Sequence, residues 1–178
     1  MIGAAVITAS DRSSRGERTD ASGPALAALL GRIPARLAGM CVVPDTVRDI
    51  RDALRSFLRD PAVALIVTTG GTGVTPRDVT PEAVAPLIER DLPGLALALR
   101  WGSYRHTPFA LVSRAVAGFN GERLIVTLPG SPRAVDECFE ILLPVFRRLF
   151  GDNAAPAPRA AGGGEGDARS SRRRERWR

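Results

Sequence analysis

Residues 2–8 (IGAAVIT) form an apolar run with no charge in it. Such a run, bounded by polar or turn residues, fits a strand buried on both faces. Residues 38–43 (AGMCVV), 62–69 (AVALIVTT) and 124–128 (LIVTL) repeat the pattern. Between these runs the spacing changes to that of helices. Leu26, Leu29 and Leu30 follow Ser22-Gly23-Pro24, and Val47, Ile50, Leu54, Phe57 and Leu58 make one apolar face behind Asp45-Thr46. Val84, Leu87 and Ile88 follow an expected cap and first-turn proline at Thr80-Pro81, with Pro86 distorting the helix early. Residues 95–101 read as a further helix. After Pro132, the positions Val135, Phe139, Leu142, Leu143 and Phe146 form the last one, bent by Pro144. Asn120-Gly121 is a hairpin turn between a short strand near Val116 and the strand 123–128. Alternating strands and helices predict a three-layer α/β domain, with a mostly parallel sheet, helices on both faces and one antiparallel hairpin.

This domain is expected over residues 1–151. Pro, Ala, Gly and Arg dominate residues 152–178, read as a disordered Arg-rich tail. The tail's arginines could touch an anionic surface or nucleic acid, or the tail could be a solubilising terminus; no nucleic-acid partner is expected.

Composition narrows the chemistry. The 178 residues carry a net charge of +6, and all 25 basic residues are arginine. Absence of lysine excludes Schiff-base and lysine-nucleophile catalysis, and leaves no lysine for a Walker loop. Residues 1–150 hold 18 Arg against 15 acids, so the expected domain is only mildly basic. Cys41 and Cys138 lack metal-ligand spacing and read as small buried hydrophobes. His106 is the single histidine; it leaves no His/Cys set for zinc, and no recognisable nucleophile motif accompanies it to make a Ser/His/Asp hydrolase. No run reaches membrane-spanning length, so a cytoplasmic protein with no membrane partner is expected.

The loops after the strands carry the candidate chemistry, because open α/β sheets bind ligands at the carboxyl ends of their strands. These loops begin at Ser10-Asp11, at Thr69-Gly70-Gly71-Thr72-Gly73 and at Pro129-Gly130-Ser131. Ser113-Arg114 is a fourth candidate. Glycines let amides approach an anion closely, although a plain turn would also use them. Pro76 stands where a dinucleotide fingerprint needs its third glycine. Asp11, Asp45 and Asp78 suit a hard cation such as Mg²⁺ shared with phosphates. Asp45 equally suits a helix cap, as do Asp20 and Ser22.

The segments VITASDRSSRGERTDASGP, VVPD, VTTGGTGVTPRDVTPEA, LVSRAVAG and LPGSPRAVDEC resemble the MogA/MoaB molybdopterin-binding family over roughly residues 2–150, in the family's order. Gephyrin's N-terminal domain and a domain of MoeA proteins are relatives. The SDR opening looks more like the stand-alone adenylyltransferase. The resemblance implies Mg²⁺-dependent transfer of AMP from ATP to the terminal phosphate of molybdopterin, with pyrophosphate released, in molybdenum cofactor biosynthesis. It also implies a homotrimer and contacts with other proteins of that pathway. Asp45 and Asp78 match the family's catalytic aspartates and would hold or orient the Mg²⁺. Gly70, Gly71, Thr72 and Gly73 match its glycine loop, with Thr69 before it. Pro129, Gly130 and Ser131 match its second loop. Ser10, Asp11, Ser113 and Arg114 match further positions lining the site. MoaB-type relatives imply an alternative, a protein that binds molybdopterin or its precursor without adenylylating it. Residues 32–40 are short for a connection, so the rim there is expected to differ.

Overall fold

A computed structural model describes residues 1–151; the expected tail at 152–178 lies outside the described residues. Six strands form one sheet in the order β2-β1-β3-β6-β5-β4. They are β1 (Ile2–Ala9), β2 (Ala35–Val43), β3 (Val63–Thr69), β4 (Arg90–Asp91), β5 (Ala117–Asn120) and β6 (Arg123–Leu128). β2, β1, β3 and β6 are mutually parallel. β5 joins β6 antiparallel through a two-residue turn at Gly121 and Glu122, one residue beyond the Asn120-Gly121 expected, because Asn120 pairs with Arg123. The two-residue β4 adds a second antiparallel pairing at that edge. The predicted three-layer, mostly parallel architecture with its hairpin is the observed one.

Period-two alternation along the central strands sorts the core into two layers. Ala4, Val6, Leu65, Val67, Leu124 and Val126 face one side, under α2 (Ser22–Leu30), α5 (Pro93–Tyr104) and α6 (Pro132–Phe150). Ala5, Ile7, Ile66 and Ile125 face the other, under α3 (Val47–Leu58) and α4 (Thr80–Val84). α6 continues through Pro144, which is exposed. An interior proline costs about 3 kcal/mol. Phe139, Leu142 and Phe146 on the same helix are fully buried; at about 1.5–3 kcal/mol each, their burial outweighs it.

Several boundaries differ from the sequence reading. β2 starts at Ala35 rather than residue 38, so residues 32–40 are mostly strand and not a shortened connection. It is an edge strand with Arg36, Leu37 and Met40 exposed, which breaks its apolar pattern. Cys41 on this strand is only half-buried, whereas Cys138 is buried. α4 stops at Val84 and tightens into a 3-10 turn over Ala85–Leu87, where Pro86 removes an amide donor. Thr80 is inside α4 and not its cap: its hydroxyl donates to the Gly70 carbonyl at 2.8 Å. A short helix α1 (Asp11–Ser14), capped by Ser10, follows β1 directly.

Candidate active site

The carboxyl ends of the parallel strands lie level. Ala9 pairs with Val43, Thr8 with Thr69, and Thr69 with Leu128. β1 connects onward to β2 on one side, and β2 to β3 on the other, so the strand order reverses between β1 and β3. Ligand crevices in open α/β sheets form at such a reversal. A cleft of about 260 Å³ opens there. Its walls include Ser10, Asp11, Asp45, Gly70, Gly71, Asp78 and Gly130, all singled out in the sequence.

Asp11 and Asp45 lock the first two strand ends together. The Asp11 amide donates to Asp45 Oδ2 at 2.8 Å, and the Asp45 amide donates to Asp11 Oδ1 at 3.0 Å. Asp45 is therefore not the cap of α3; Thr46 is, accepting from the Asp49 amide at 3.0 Å. Burial raises the Asp45 pKa above the ordinary carboxylate range. The Asp11 amide opposes this, the negative charges of Asp11 and Asp78 add to it, and Arg77 opposes it. A carboxyl raised in the folded state contributes stability that is complete below its unfolded pKa, about 3.9, and lost as pH rises through the folded pKa. An asparagine oxygen can still accept from the Asp11 amide without carrying the charge. Asp45→Asn is thus expected to melt at or above the wild-type temperature at pH 8, with that advantage gone at pH 3.5. Thermal melts at the two pH values check it, and a variant less stable at pH 8 than at pH 3.5, relative to wild type, contradicts it.

Asp78 is held differently. Its Oδ2 accepts from the Thr75 amide at 2.8 Å and the Thr75 hydroxyl at 2.6 Å. Burial pushes this carboxyl up, but the Thr75 hydroxyl and amide, the Gly73 amide and Arg114 outweigh it, and the net pKa is lowered. The cleft thus carries two carboxylates with opposite biases, Asp45 toward the neutral acid and Asp78 toward the anion.

The glycine loop offers fewer amides than its sequence suggests. Gly70 and Gly71 take positive φ, +98° and +63°. The Gly70 N–H donates to the Leu128 carbonyl at 3.0 Å, and Gly73 packs close against the Asp78 carboxylate. Gly71, whose amide has no hydrogen bond to a protein acceptor among the described residues, is the loop residue beside Gly70 that lines the cleft. Gly130 comes close to Gly70: a Cβ there would lie 3.1 Å from the Gly70 Cα, so two loops meet where neither has a side chain.

Of the other expected residues, Thr69, Thr72, Gly73, Ser113, Arg114, Pro129 and Ser131 do not line the cleft, whereas Asp20 and Ser22 do. The Thr69 hydroxyl donates to the Pro129 carbonyl at 2.7 Å, tying the two loops together. Thr72 is buried. Ser131 caps α6, its Oγ accepting from the Ala134 amide at 3.2 Å. Ser113 Oγ accepts from the Ala115 amide. Arg114 turns toward the Gly73 carbonyl and does not line the cleft. Asp20, weighed in the sequence as a cap, does fill the N-terminus of α2: its Oδ1 accepts from the amides of Ser22 and Gly23, both at 3.0 Å, while Thr8 donates to Oδ2. Ser22 is the first helical residue and caps nothing with its side chain.

Arg12, Arg18, Thr75 and Arg77 line the cleft and were not singled out in the sequence. Arg12 adjoins Asp11, and Arg77 adjoins Asp78, so position on a strand-end loop was the available signal. The three arginines balance the carboxylates and make the cleft a place where phosphate anions and a cation can meet. His106 is remote from it, with Nδ1 3.6 Å from a Glu137 oxygen beside α6.

An α/β sheet with an acidic and arginine-lined cleft at its switch point is the architecture of a nucleotide- or phosphate-handling protein. The chain belongs to the family described as "probable molybdopterin binding domain", whose model matches residues 5–148. It is 38% identical over 170 residues to the molybdenum cofactor synthesis protein cinnamon of Drosophila melanogaster, covering 93% of this chain but only 28% of the fly protein. It is 37% identical over 145 residues to a Helicobacter pylori molybdopterin adenylyltransferase, covering 79% of this chain and 81% of that protein. Among solved structures, the molybdopterin biosynthesis enzyme MoaB of Thermus thermophilus matches with a TM-score of 0.78 and 40% identity, over 85% of this chain and 98% of that one.

Proposed function

We propose that this chain is a molybdopterin adenylyltransferase of molybdenum cofactor biosynthesis, acting in the cytoplasm. The observation that carries this reading is the meeting of Asp45 and Asp78 with Arg12, Arg18 and Arg77 in one cleft at the sheet's switch point. The similarity to proteins named for that activity supports it.

In this reaction an oxygen of the pterin's terminal phosphate forms a bond to the α-phosphorus of ATP. The bond from that phosphorus to the β-phosphate's bridging oxygen breaks, and pyrophosphate leaves. Two anions must approach, so the chain's task is to position them and neutralise their charge. Arg12, Arg18 and Arg77 supply positive charge to the phosphates. The Gly71 amide is the loop donor in the cleft open to a phosphate oxygen.

The donor set fits Mg²⁺. Among the described residues no cluster of three or more His, Cys, Asp or Glu could hold a metal alone. Mg²⁺ commonly binds one or two carboxylates and completes its shell with substrate phosphates and water. Asp45 and Asp78 would hold it here, and it would supply charge neutralisation to the triphosphate.

Incubation with ATP, Mg²⁺ and molybdopterin, with pyrophosphate as readout, tests the function. Release that depends on all three supports it. Tight pterin binding without pyrophosphate overturns it in favour of a protein that only holds the pterin.

We also infer a homotrimer, consistent with the resemblance. Trp101 is 62% exposed and Phe109 80%, and Leu97, Tyr104, Leu111 and Val112 are exposed on the same α5 and following 3-10 turn. Exposed apolar surface of this extent usually marks an interface. Trp101→Glu is expected to convert the trimer to monomer, read by light scattering after size exclusion; a wild-type chain that is already monomeric contradicts the assignment.

A further inference from the structure

Arg114 is the residue whose placement differs most from its expected role. Three branches of its guanidinium reach three groups. Nε donates to the Gly73 carbonyl at 2.7 Å, Nη2 donates to the Asp78 carbonyl, and Nη1 pairs with the Glu82 carboxylate. Its own amide donates to the Thr72 carbonyl at 2.9 Å. One side chain thus grips both ends of the segment 73–78 and the first turn of the helix that follows. That segment supplies Thr75, Arg77 and Asp78 to the cleft, while Arg114 itself stays outside it.

Within the segment, Asp78 also closes a turn, its amide donating to the Thr75 carbonyl at 2.9 Å. Val74, Thr75, Pro76 and Arg77 are exposed and bring no core contact to hold them. The turn is therefore rigid within itself but anchored mainly through the carbonyls at its two ends. A planar fork with donors in fixed directions can hold two carbonyls and a carboxylate together, and an ammonium cannot reproduce that geometry.

We propose that Arg114 is a positioning residue for the reaction: it fixes the loop carrying Asp78 and Arg77 relative to the glycine loop, and does not contact substrate. This rests on the adenylylation reading above. Misplacement of catalytic groups by about 1 Å can cost roughly a hundredfold in rate, so the effect belongs in kcat.

The test compares wild type with Arg114→Lys and Arg114→Met at a temperature where each is folded by circular dichroism. Arg114→Lys is expected to lower kcat about tenfold or more, with Arg114→Met lower still. KM for ATP and for molybdopterin should change less than about threefold. Amides of residues 73–78 should exchange with deuterium faster in Arg114→Lys, with β1 and β3 unchanged. A raised KM with kcat retained would make Arg114 a substrate ligand and overturn the proposal. A lowered melting temperature with kcat and KM both intact would make it a stabilising residue only, and would overturn it too. Wild-type turnover is measured first. If wild type releases no pyrophosphate, the adenylylation reading fails, and the exchange arm alone decides the anchoring: unchanged exchange at 73–78 overturns it.

Discussion

Asp78→Asn is expected to fold normally and to lose pyrophosphate release by a factor of at least about a hundred. The two halves of this expectation have separate causes. The fold survives because the contacts that hold residue 78 need only an acceptor oxygen and the backbone. The Thr75 amide and hydroxyl both donate to one side-chain oxygen, and Arg114 grips the residue's carbonyl. Asparagine keeps both features, so the cost is a charge-assisted bond replaced by a neutral one, about 1 kcal/mol. Turnover fails because the anion is lost. Asp78 is the carboxylate whose surroundings hold its pKa down, the opposite direction to Asp45. A neutral amide oxygen holds a hard cation more weakly than a carboxylate and brings no negative charge to balance it or Arg77. Pyrophosphate release under saturating ATP, beside a thermal melt, measures both halves. Turnover close to wild type would remove Asp78 from the mechanism.

The sequence disclosed where the site would be more clearly than which side chains would act in it. Continuous apolar runs marked the strands β1, β3 and β6, and loops at strand ends are where a parallel sheet places ligands, so Asp11, Gly70, Gly71 and Gly130 could be located by topology alone. Asp45 was ambiguous because Thr46 beside it satisfies the same capping pattern, and only the reciprocal bonds with Asp11 separate the two roles. The residues that escaped notice share one property: local pattern carries no information about them. Arg12, Arg18 and Arg77 are three among 25 arginines in a chain without lysine. Arg114 stands with Ser113 as a candidate in the sequence, but the direction taken by its long side chain, away from the cleft, depends on what surrounds it in three dimensions. β4, two residues long, has no periodicity to detect. Residues 35–37 of β2 sit at an open edge, where alternation with water hides the strand.

A methyl group on Gly70 is expected to damage the protein more than one on any exposed turn glycine. Gly70 has φ +98°, and a Cβ there would lie 2.3 Å from the Ala9 carbonyl oxygen. Two penalties add. An L-residue forced to positive φ costs about 1–2 kcal/mol, and pushing a backbone atom out of a packed sheet costs about 1–3 kcal/mol more. Ala9 is the last residue of β1 and cannot move alone. Its neighbour Ser10 is bonded to Val43, and the Gly70 amide is bonded to Leu128, so any shift spreads to three strand ends at once. A loss near 3 kcal/mol corresponds to a fall in melting temperature of about 6–12 °C for a domain of this size. Gly16→Ala supplies the control, because Gly16 has φ +73° and nothing within 4 Å of its added Cβ. It bears the conformational penalty alone and is expected to fall by only a few degrees. Melts of the two variants separate backbone strain from steric displacement. Equal shifts would mean that β1 yields freely at Ala9, and the level strand ends would then not be the rigid floor on which Asp11, Asp45 and the glycine loop are set.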